Sequence, residues 1–182
     1  SVHDMSYMFC GTDSSDQLQR LDFNKDIGEW DVSSVSLMQY MFFNAPDFNQ
    51  DLSKWNVANL EKASYMFSRA TAFNQDLSTW SVTRMENAEA MFAYALLFNQ
   101  DLGQWDMSSV QKIDNIFFRA DSLEGIFCWD LPIIPEENDL VHVRAGAVGS
   151  VYDALTDACK CANLLDIDGG NNGVCESYLV AN

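Results

Sequence analysis

The sequence predicts an α/β solenoid in which every 25-residue repeat contributes one short parallel strand and one short helix. Three observations predict this fold. A tryptophan returns at a constant interval, the residues ahead of it repeat the motif Phe-Asn-x-Asp, and the residues after it carry apolar side chains at helical spacing. A constant period of about 20 to 50 residues is typical of repeat proteins whose units stack on one another.

The strand of each repeat is predicted from the segment around the tryptophan. Full copies of the motif occupy residues 48–57, 73–82 and 98–107, and an earlier copy occupies 23–32. In each copy a Val or Met follows the tryptophan two residues later, which is the side-chain period of a strand. The four tryptophans, each 25 residues from the next, are Trp30, Trp55, Trp80 and Trp105.

The helix of each repeat is predicted from the residues that follow. After Trp30 these are Val35, Met38, Met41, Phe42 and Ala45, and their offsets of 3, 6, 7 and 10 would place them on one face of a helix. Ser or Thr residues ahead of this segment could cap the free N–H groups. One strand and one helix form the unit of a leucine-rich-repeat-like solenoid, whose units must stack to bury their apolar faces.

The repeats divide the chain into a solenoid domain over residues 1–131 and a different segment over residues 132–182. Residues 1–9 align with 34–42, so the chain starts inside a repeat, and we expect a processed protein or a segment of a longer one, with one end of the stack open. An insertion that begins at residue 10 predicts a protruding loop. About five rungs result, and the last is degenerate because Trp129 comes one residue early.

The segment 132–182 is interpreted as a cysteine-containing cap or assembly segment. Alternation at 140–144 predicts a strand, and apolar spacing between 151 and 165 predicts a helix. The segment either folds back over the apolar end of the stack or reaches to a neighbouring molecule. In an oxidising compartment two disulfides would leave one cysteine over. The disulfide candidates are Cys10, Cys128, Cys159, Cys161 and Cys175.

Composition argues against several classes of partner. The chain has 10 basic and 27 acidic residues and a formal net charge of −17, which disfavours nucleic acid and anionic lipid as partners. No apolar run is long enough to span a membrane. We therefore expect protein partners, including copies of the chain itself, and no cofactor, with calcium as the one ion to consider.

Stacking would align repeated side chains in columns. The asparagine column is interpreted as structural, with amides that bond the backbone of the repeated turn; it contains Asn24, Asn49, Asn74 and Asn99. The aspartate column could bind calcium between rungs, but like charges repel, so turn capping is favoured; it contains Asp26, Asp51, Asp76 and Asp101. The tryptophan column is interpreted as core packing.

An acidic loop in the segment 132–182 is a further candidate metal site. Its first two aspartates have the spacing of EF-hand ligands, but Gly170 replaces the third ligand and Asn171 stands where the invariant glycine belongs. An irregular calcium site remains an alternative to a plain turn. Its ligands would be Asp166, Asp168, Asn172 and Glu176.

Catalytic motifs are missing from the sequence. The two histidines, His3 and His142, lie outside the regular array, and the sequence contains neither a nucleophile motif nor a phosphate-binding glycine loop. We therefore predict that the protein is not an enzyme and assign no catalytic residue.

The repeat resembles a known family. The pattern Met66-Phe67-x-x-Ala70-x-x-Phe73-Asn74-Gln75-Asp76-Leu77-Ser78-x-Trp80-x-Val82-x-x-Met85 is similar to the repeat of the bacterial surface protein A-like (BspA-like) leucine-rich repeat family, a 25-residue repeat also found in mycoplasma surface lipoproteins. The resemblance extends over roughly residues 1–131. It implies a surface or secreted, non-enzymatic protein used for adhesion or protein contacts, and it assigns no binding residue.

The sequence and the resemblance together predict a non-enzymatic extracellular or cell-surface structural or adhesive protein that mediates protein–protein contacts, with end-to-end self-assembly into filaments among them. The alternative is a calcium-dependent ligand-binding module or an enzyme that uses the acidic loop.

Overall fold

A stack of repeats organises the part of the chain that the structure, a computed structural model, describes: residues 2–11, 13, 14, 17, 18, 21–124 and 129. Parallel β-bridges join one residue of each repeat to the equivalent residue of the next. The bridged residues, in order, are Asp4, Leu37, Lys62, Asn87 and Lys112. We name residues 2–11 rung 1, 21–45 rung 2, 46–70 rung 3, 71–95 rung 4 and 96–120 rung 5.

Two short strands are present among the described residues. Strand β1 (Asp13–Ser14) pairs antiparallel with β2 (Gln17–Leu18), so that Asp13 lies opposite Leu18 and Ser14 opposite Gln17. This hairpin lies in the insertion between rungs 1 and 2. The insertion separates equivalent residues of these rungs by 33 positions, whereas later rungs repeat every 25.

The predicted helix is wrong, because the described residues contain no α-helix. The segment 38–45 forms consecutive tight turns instead. The N–H of Met41 donates to the carbonyl of Met38 in the same rung (3.2 Å), whereas the N–H of Tyr40 donates to the carbonyl of Ser64 in rung 3 (3.0 Å). The two kinds of bond alternate along the segment. In an α-helix every such N–H would bond four residues back within its own segment.

Left-handed backbone residues are the physical reason that no helix forms. Each of rungs 2 to 5 has two non-glycine residues, four positions apart, with φ between 49° and 63°. A right-handed helix needs φ near −63° throughout. The pairs are Tyr40 and Asn44, Tyr65 and Arg69, Ala90 and Tyr94, and Asn115 and Arg119; Tyr7 has the same conformation in rung 1.

The predicted strand is also wrong. No strand includes a Trp-x-Val segment among the described residues, and the inter-rung bridges fall instead inside the predicted helix, at positions such as Leu37 and Lys62. The N–H of Trp55 closes a turn on the carbonyl of Leu52 (3.0 Å). The leucine-rich-repeat-like α/β solenoid with one helix and one strand per repeat is therefore corrected to stacked rungs of turns.

The apolar residues assigned to the helix face nevertheless form the core. Val35, Met38, Met41 and Ala45 and their equivalents in rungs 3 to 5 are almost fully buried. Phenylalanines stack from rung to rung in two columns, with ring centroids 5.5–5.6 Å apart in one and 5.8–6.1 Å apart in the other. The columns are Phe42, Phe67, Phe92 and Phe117, and Phe48, Phe73 and Phe98.

The tryptophans of rungs 3 to 5 form a third column. Trp55, Trp80 and Trp105 are 3% exposed, and successive rings lie 6.4 Å apart and nearly parallel. Each indole donates Nε1–H to a carbonyl of the rung before, as Trp80 does to Leu52 (3.0 Å). Trp129 continues the column 6.5 Å beyond Trp105.

The whole of the predicted second domain, residues 132–182, lies outside the described residues. The strand, helix and acidic loop predicted there belong to this segment.

Candidate interaction surface

One side of the stack carries aromatic and arginine side chains on the turn segments of rungs 1 to 5. We name this surface the aromatic face. Most of its residues have the left-handed backbone conformation described above. The face consists of Tyr7, Tyr40, Phe43, Tyr65, Arg69, Tyr94 and Phe118.

A row of three stacked tyrosines forms one half of the aromatic face. The ring centroids of Tyr7 and Tyr40 are 4.8 Å apart with an interplanar angle of 6°, and those of Tyr40 and Tyr65 are 4.7 Å apart at 5°. Tyr7 is 59% exposed, and the other two rings are partly buried. The spacing follows from the backbone, because the N–H of each tyrosine donates to the next rung and so fixes the rung separation.

The row ends at a carboxylate. The phenol of Tyr65 donates to Glu89 Oε1 at 2.8 Å. This hydrogen bond to the neutral phenol, together with partial burial and the negative charge of Glu89, raises the pKa of Tyr65 to about 12. Burial likewise raises the pKa of Tyr40.

The other half of the face is built around Tyr94. The guanidinium of Arg69 lies over its ring, 5.0 Å from the centroid, and Phe118 meets it edge to face at 5.3 Å. The neighbouring Leu96 and Leu97 are exposed. Tyrosine and arginine are the residues most enriched where proteins bind one another. The arrangement is therefore suited to protein contacts.

Backbone strain accompanies five of the seven residues of this face. A non-glycine residue in the left-handed region costs about 1–2 kcal/mol, and asparagine tolerates it better than other residues do. Of the nine non-glycine residues in this conformation two are asparagine, whereas four are the large residue tyrosine: Tyr7, Tyr40, Tyr65 and Tyr94. Inter-rung hydrogen bonds and ring stacking offset the strain of these large side chains.

The predicted asparagine column lies away from this face and joins consecutive rungs. Asn74 Oδ1 accepts the N–H of Asn99 (2.9 Å) and the side-chain amide of Gln100 (2.8 Å). Asn24 and Asn49 make the same pair of bonds to the following rung, and Asn99 accepts the N–H of Glu124. Asn49 is partly buried and the other three are exposed.

Each member of the aspartate column closes a turn within its own rung. Its Oδ1 accepts the N–H two residues later, as between Asp51 and Ser53 and between Asp76 and Ser78 (2.8 Å each). These hydrogen bonds lower the pKa of Asp51 and Asp76. Asp26 and Asp101 bond Gly28 and Gly103 in the same way. Within the described part of the chain, no group of three His, Cys, Asp or Glu side chains could hold a metal ion.

The remaining predicted site residues are distributed as follows. The calcium candidates Asp166, Asp168, Asn172 and Glu176 lie outside the described residues, as do Cys128, Cys159, Cys161 and Cys175. Cys10 is a partly buried free thiol that donates to the carbonyl of Gly11 (3.1 Å), and burial raises its pKa. His3 Nδ1 lies 2.8 Å from the carbonyl of Ser34.

The aromatic face was missed by sequence reasoning, although a signal for it exists. Tyr7 aligns with Tyr40, and Tyr65 follows 25 residues later, so the row is periodic in the sequence. The predicted helix hid this signal, because it gave no reason for three tyrosines of different rungs to stack.

The comparisons with known proteins give a family and no close relative. Over the described residues, no helix is long and apolar enough to cross a membrane. No curated protein and no solved structure gives a significant match to the chain. The resemblance to the BspA-like leucine-rich repeat family is not confirmed. A family described as "Mycoplasma protein of unknown function, DUF285" matches residues 3–129, well over half of the chain, and the protein therefore belongs to this family of repeat proteins.

Proposed function

We propose that the chain is a non-enzymatic structural or adhesive protein of the cell surface or extracellular space, and that its aromatic face contacts other proteins. One observation carries the proposal: large tyrosine and arginine side chains occupy strained left-handed positions in consecutive rungs. Glycine would fit those positions with less strain. Tyr40, Tyr65 and Tyr94 all keep part of their surface accessible to solvent.

Membership of the Mycoplasma repeat family supports a surface-related protein. The net charge of −17 supports protein rather than nucleic acid as the partner. Self-association is included in the proposal. Val2, Met8 and Trp30 are exposed apolar side chains in rungs 1 and 2, whereas Ile113, Ile116 and Phe117 of rung 5 are buried. The exposed apolar side chains of rungs 1 and 2 support this self-association.

Two measurements test the proposal. An antibody raised against the chain should label intact source cells or their matrix, and labelling that requires permeabilised cells contradicts the location. For the contact, sedimentation of the chain over a concentration series, alone and with extracellular proteins from the same source, should reveal complexes. We expect the Tyr40→Ser and Tyr94→Ser variants to weaken them.

The matched control is Thr79→Ser, an exposed residue of the turn that contains the aspartate column, away from the aromatic face. This variant should behave like the unmodified chain. Complexes that survive both tyrosine substitutions unchanged would place the contact elsewhere on the molecule.

A further inference from the structure

The tyrosine row has the parts of a one-electron relay. Three nearly parallel phenol rings lie 4.7–4.8 Å apart, the first is 59% exposed, and the last donates its hydroxyl to a carboxylate. A phenol that loses an electron becomes a very strong acid, so its oxidation is easiest where a base can take the proton at the same moment. Glu89 occupies that place beside Tyr65, at a heavy-atom distance of 2.8 Å that suits direct proton transfer.

The tryptophan column lacks such a base. Trp55, Trp80 and Trp105 also stack, but each Nε1–H donates to a backbone carbonyl, which cannot accept the proton of an oxidised indole. Successive tryptophan rings are also farther apart, at 6.4 Å, than successive rings of the tyrosine row, at 4.7–4.8 Å. Tyr65 is therefore the best-equipped aromatic residue in the described part of the chain to hold an oxidising equivalent.

We propose that one-electron oxidation of this protein leaves a radical on Tyr65. Glu89 accepts the proton of the Tyr65 phenol, and the electron travels from Tyr65 through Tyr40 and Tyr7. The external reactants are one-electron oxidants, such as peroxyl radicals or the oxidised haem of a peroxidase.

The electrons and protons balance as follows. The oxidant removes an electron from exposed Tyr7, whose phenolic proton passes to water. An electron then moves from Tyr65 through Tyr40 to Tyr7, water returns the proton to Tyr7, and the Tyr65 proton moves to the Glu89 carboxylate. The products are the oxidant reduced by one electron, a neutral Tyr65 phenoxyl radical and a protonated Glu89.

The test is flash-quench oxidation of the whole chain with tris(bipyridine)ruthenium(III). Radicals are followed by absorbance and, in frozen samples, by electron paramagnetic resonance. The unmodified chain should give a persistent tyrosyl signal, and Tyr65→Phe should abolish it. Glu89→Gln keeps an acceptor for the phenol but removes the base, and should lower the yield roughly tenfold or more. Tyr40→Phe should slow the appearance of the signal.

Tyr94→Phe is the matched control, because Tyr94 lies on the same face but outside the row, and it should leave the signal unchanged. The proposal is overturned by a persistent signal in Tyr65→Phe, by an unchanged yield in Glu89→Gln, or by a tryptophanyl line shape. Absence of a persistent tyrosyl signal in the unmodified chain overturns it without reference to any variant.

Discussion

Asn74 shows how one residue can join three consecutive rungs. Its amide oxygen lies in rung 4 and accepts both a backbone N–H and a side-chain amide of rung 5, while its own N–H donates to Asn49 of rung 3. Serine is too short to reach both donors, and a column of aspartates would repel itself, whereas asparagine has the length and the neutral charge to repeat in a column.

Replacing this side chain should weaken the stack. We expect Asn74→Ala to lower the free energy of unfolding by about 1–2 kcal/mol, because two donors of rung 5 lose their shared acceptor. Asn56→Ala is the control, since Asn56 bonds only within its own turn, to the N–H of Ala58, and should change stability by about 0.5 kcal/mol or less. Urea unfolding measures both; equal effects would contradict the inter-rung role.

The Tyr65–Glu89 hydrogen bond gives a pH-dependent prediction. The folded-state pKa of Tyr65, about 12, lies above its ordinary value of 10.0. A raised pKa means that the folded state holds the proton more tightly than the unfolded state does. The stability due to this bond is therefore complete below pH 10 and is lost as the pH rises through about 12.

Spectrophotometric titration of the tyrosines checks this. In the unmodified chain, a phenol should ionise near pH 12, and Glu89→Gln should return it towards 10. Glu86→Gln, a change at an exposed residue of the same rung, should leave the titration unchanged. A late-ionising phenol that persists in Glu89→Gln would show that burial, rather than the carboxylate, sets the pKa.

At the scale of the element, the turn segment of each rung combines two hydrogen-bond directions. Along the segment, one N–H group closes a local turn and the following N–H group donates to the next rung. The two left-handed residues of each rung produce this alternation. The segment therefore behaves as both a turn and one strand of a parallel ladder. Neither an α-helix nor a regular strand provides both directions.

The left-handed positions can be tested with two alanines of rung 4. Ala90 has φ 49°, whereas Ala88 is outside the left-handed set, and both methyl groups are buried. Each change to glycine removes a buried methyl, but only Ala90→Gly also relieves backbone strain. We expect Ala90→Gly to be less destabilising than Ala88→Gly by about 1–2 kcal/mol. Equal losses in denaturant unfolding would contradict the assigned conformation.

At the scale of the whole molecule, each rung contacts its neighbours through equivalent residues. The phenylalanine and tryptophan columns and the inter-rung hydrogen bonds repeat with the same 25-residue period. Stability should then be nearly a sum of rung and interface contributions.

Removal of one whole period tests this additivity. Deletion of residues 71–95 should leave a folded, slightly less stable protein, because rung 3 then meets rung 5 with every column in register. Deletion of residues 71–88 removes less of the chain but places unlike residues opposite one another. We expect this variant to lose its packed core and to show no cooperative unfolding transition. Thermal unfolding followed by near-ultraviolet circular dichroism distinguishes the two. The reverse order of stability would show that the rungs are not equivalent.

The sequence alone determines the period and most of the residues that are buried, because a fixed repeat of apolar side chains can be satisfied only by stacking. Trp30 departs from the predicted tryptophan column, since it is 39% exposed. Val35, Met38, Met41, Phe42 and Ala45 are core residues, as their spacing predicts. Their offsets suit a helix and a series of turns equally well, however, since both bring these side chains to one side.

Only the tertiary structure decides between a helix and a series of turns. The N–H of Tyr40 finds its acceptor in the next rung, on Ser64, and not within its own segment. Local sequence patterns carry no information about so distant a partner. Tyr7, Tyr40 and Tyr65 stack because each donates its backbone N–H to the next rung in this way. The sequence therefore predicts most of the buried residues but neither the backbone conformation of the rungs nor the aromatic face.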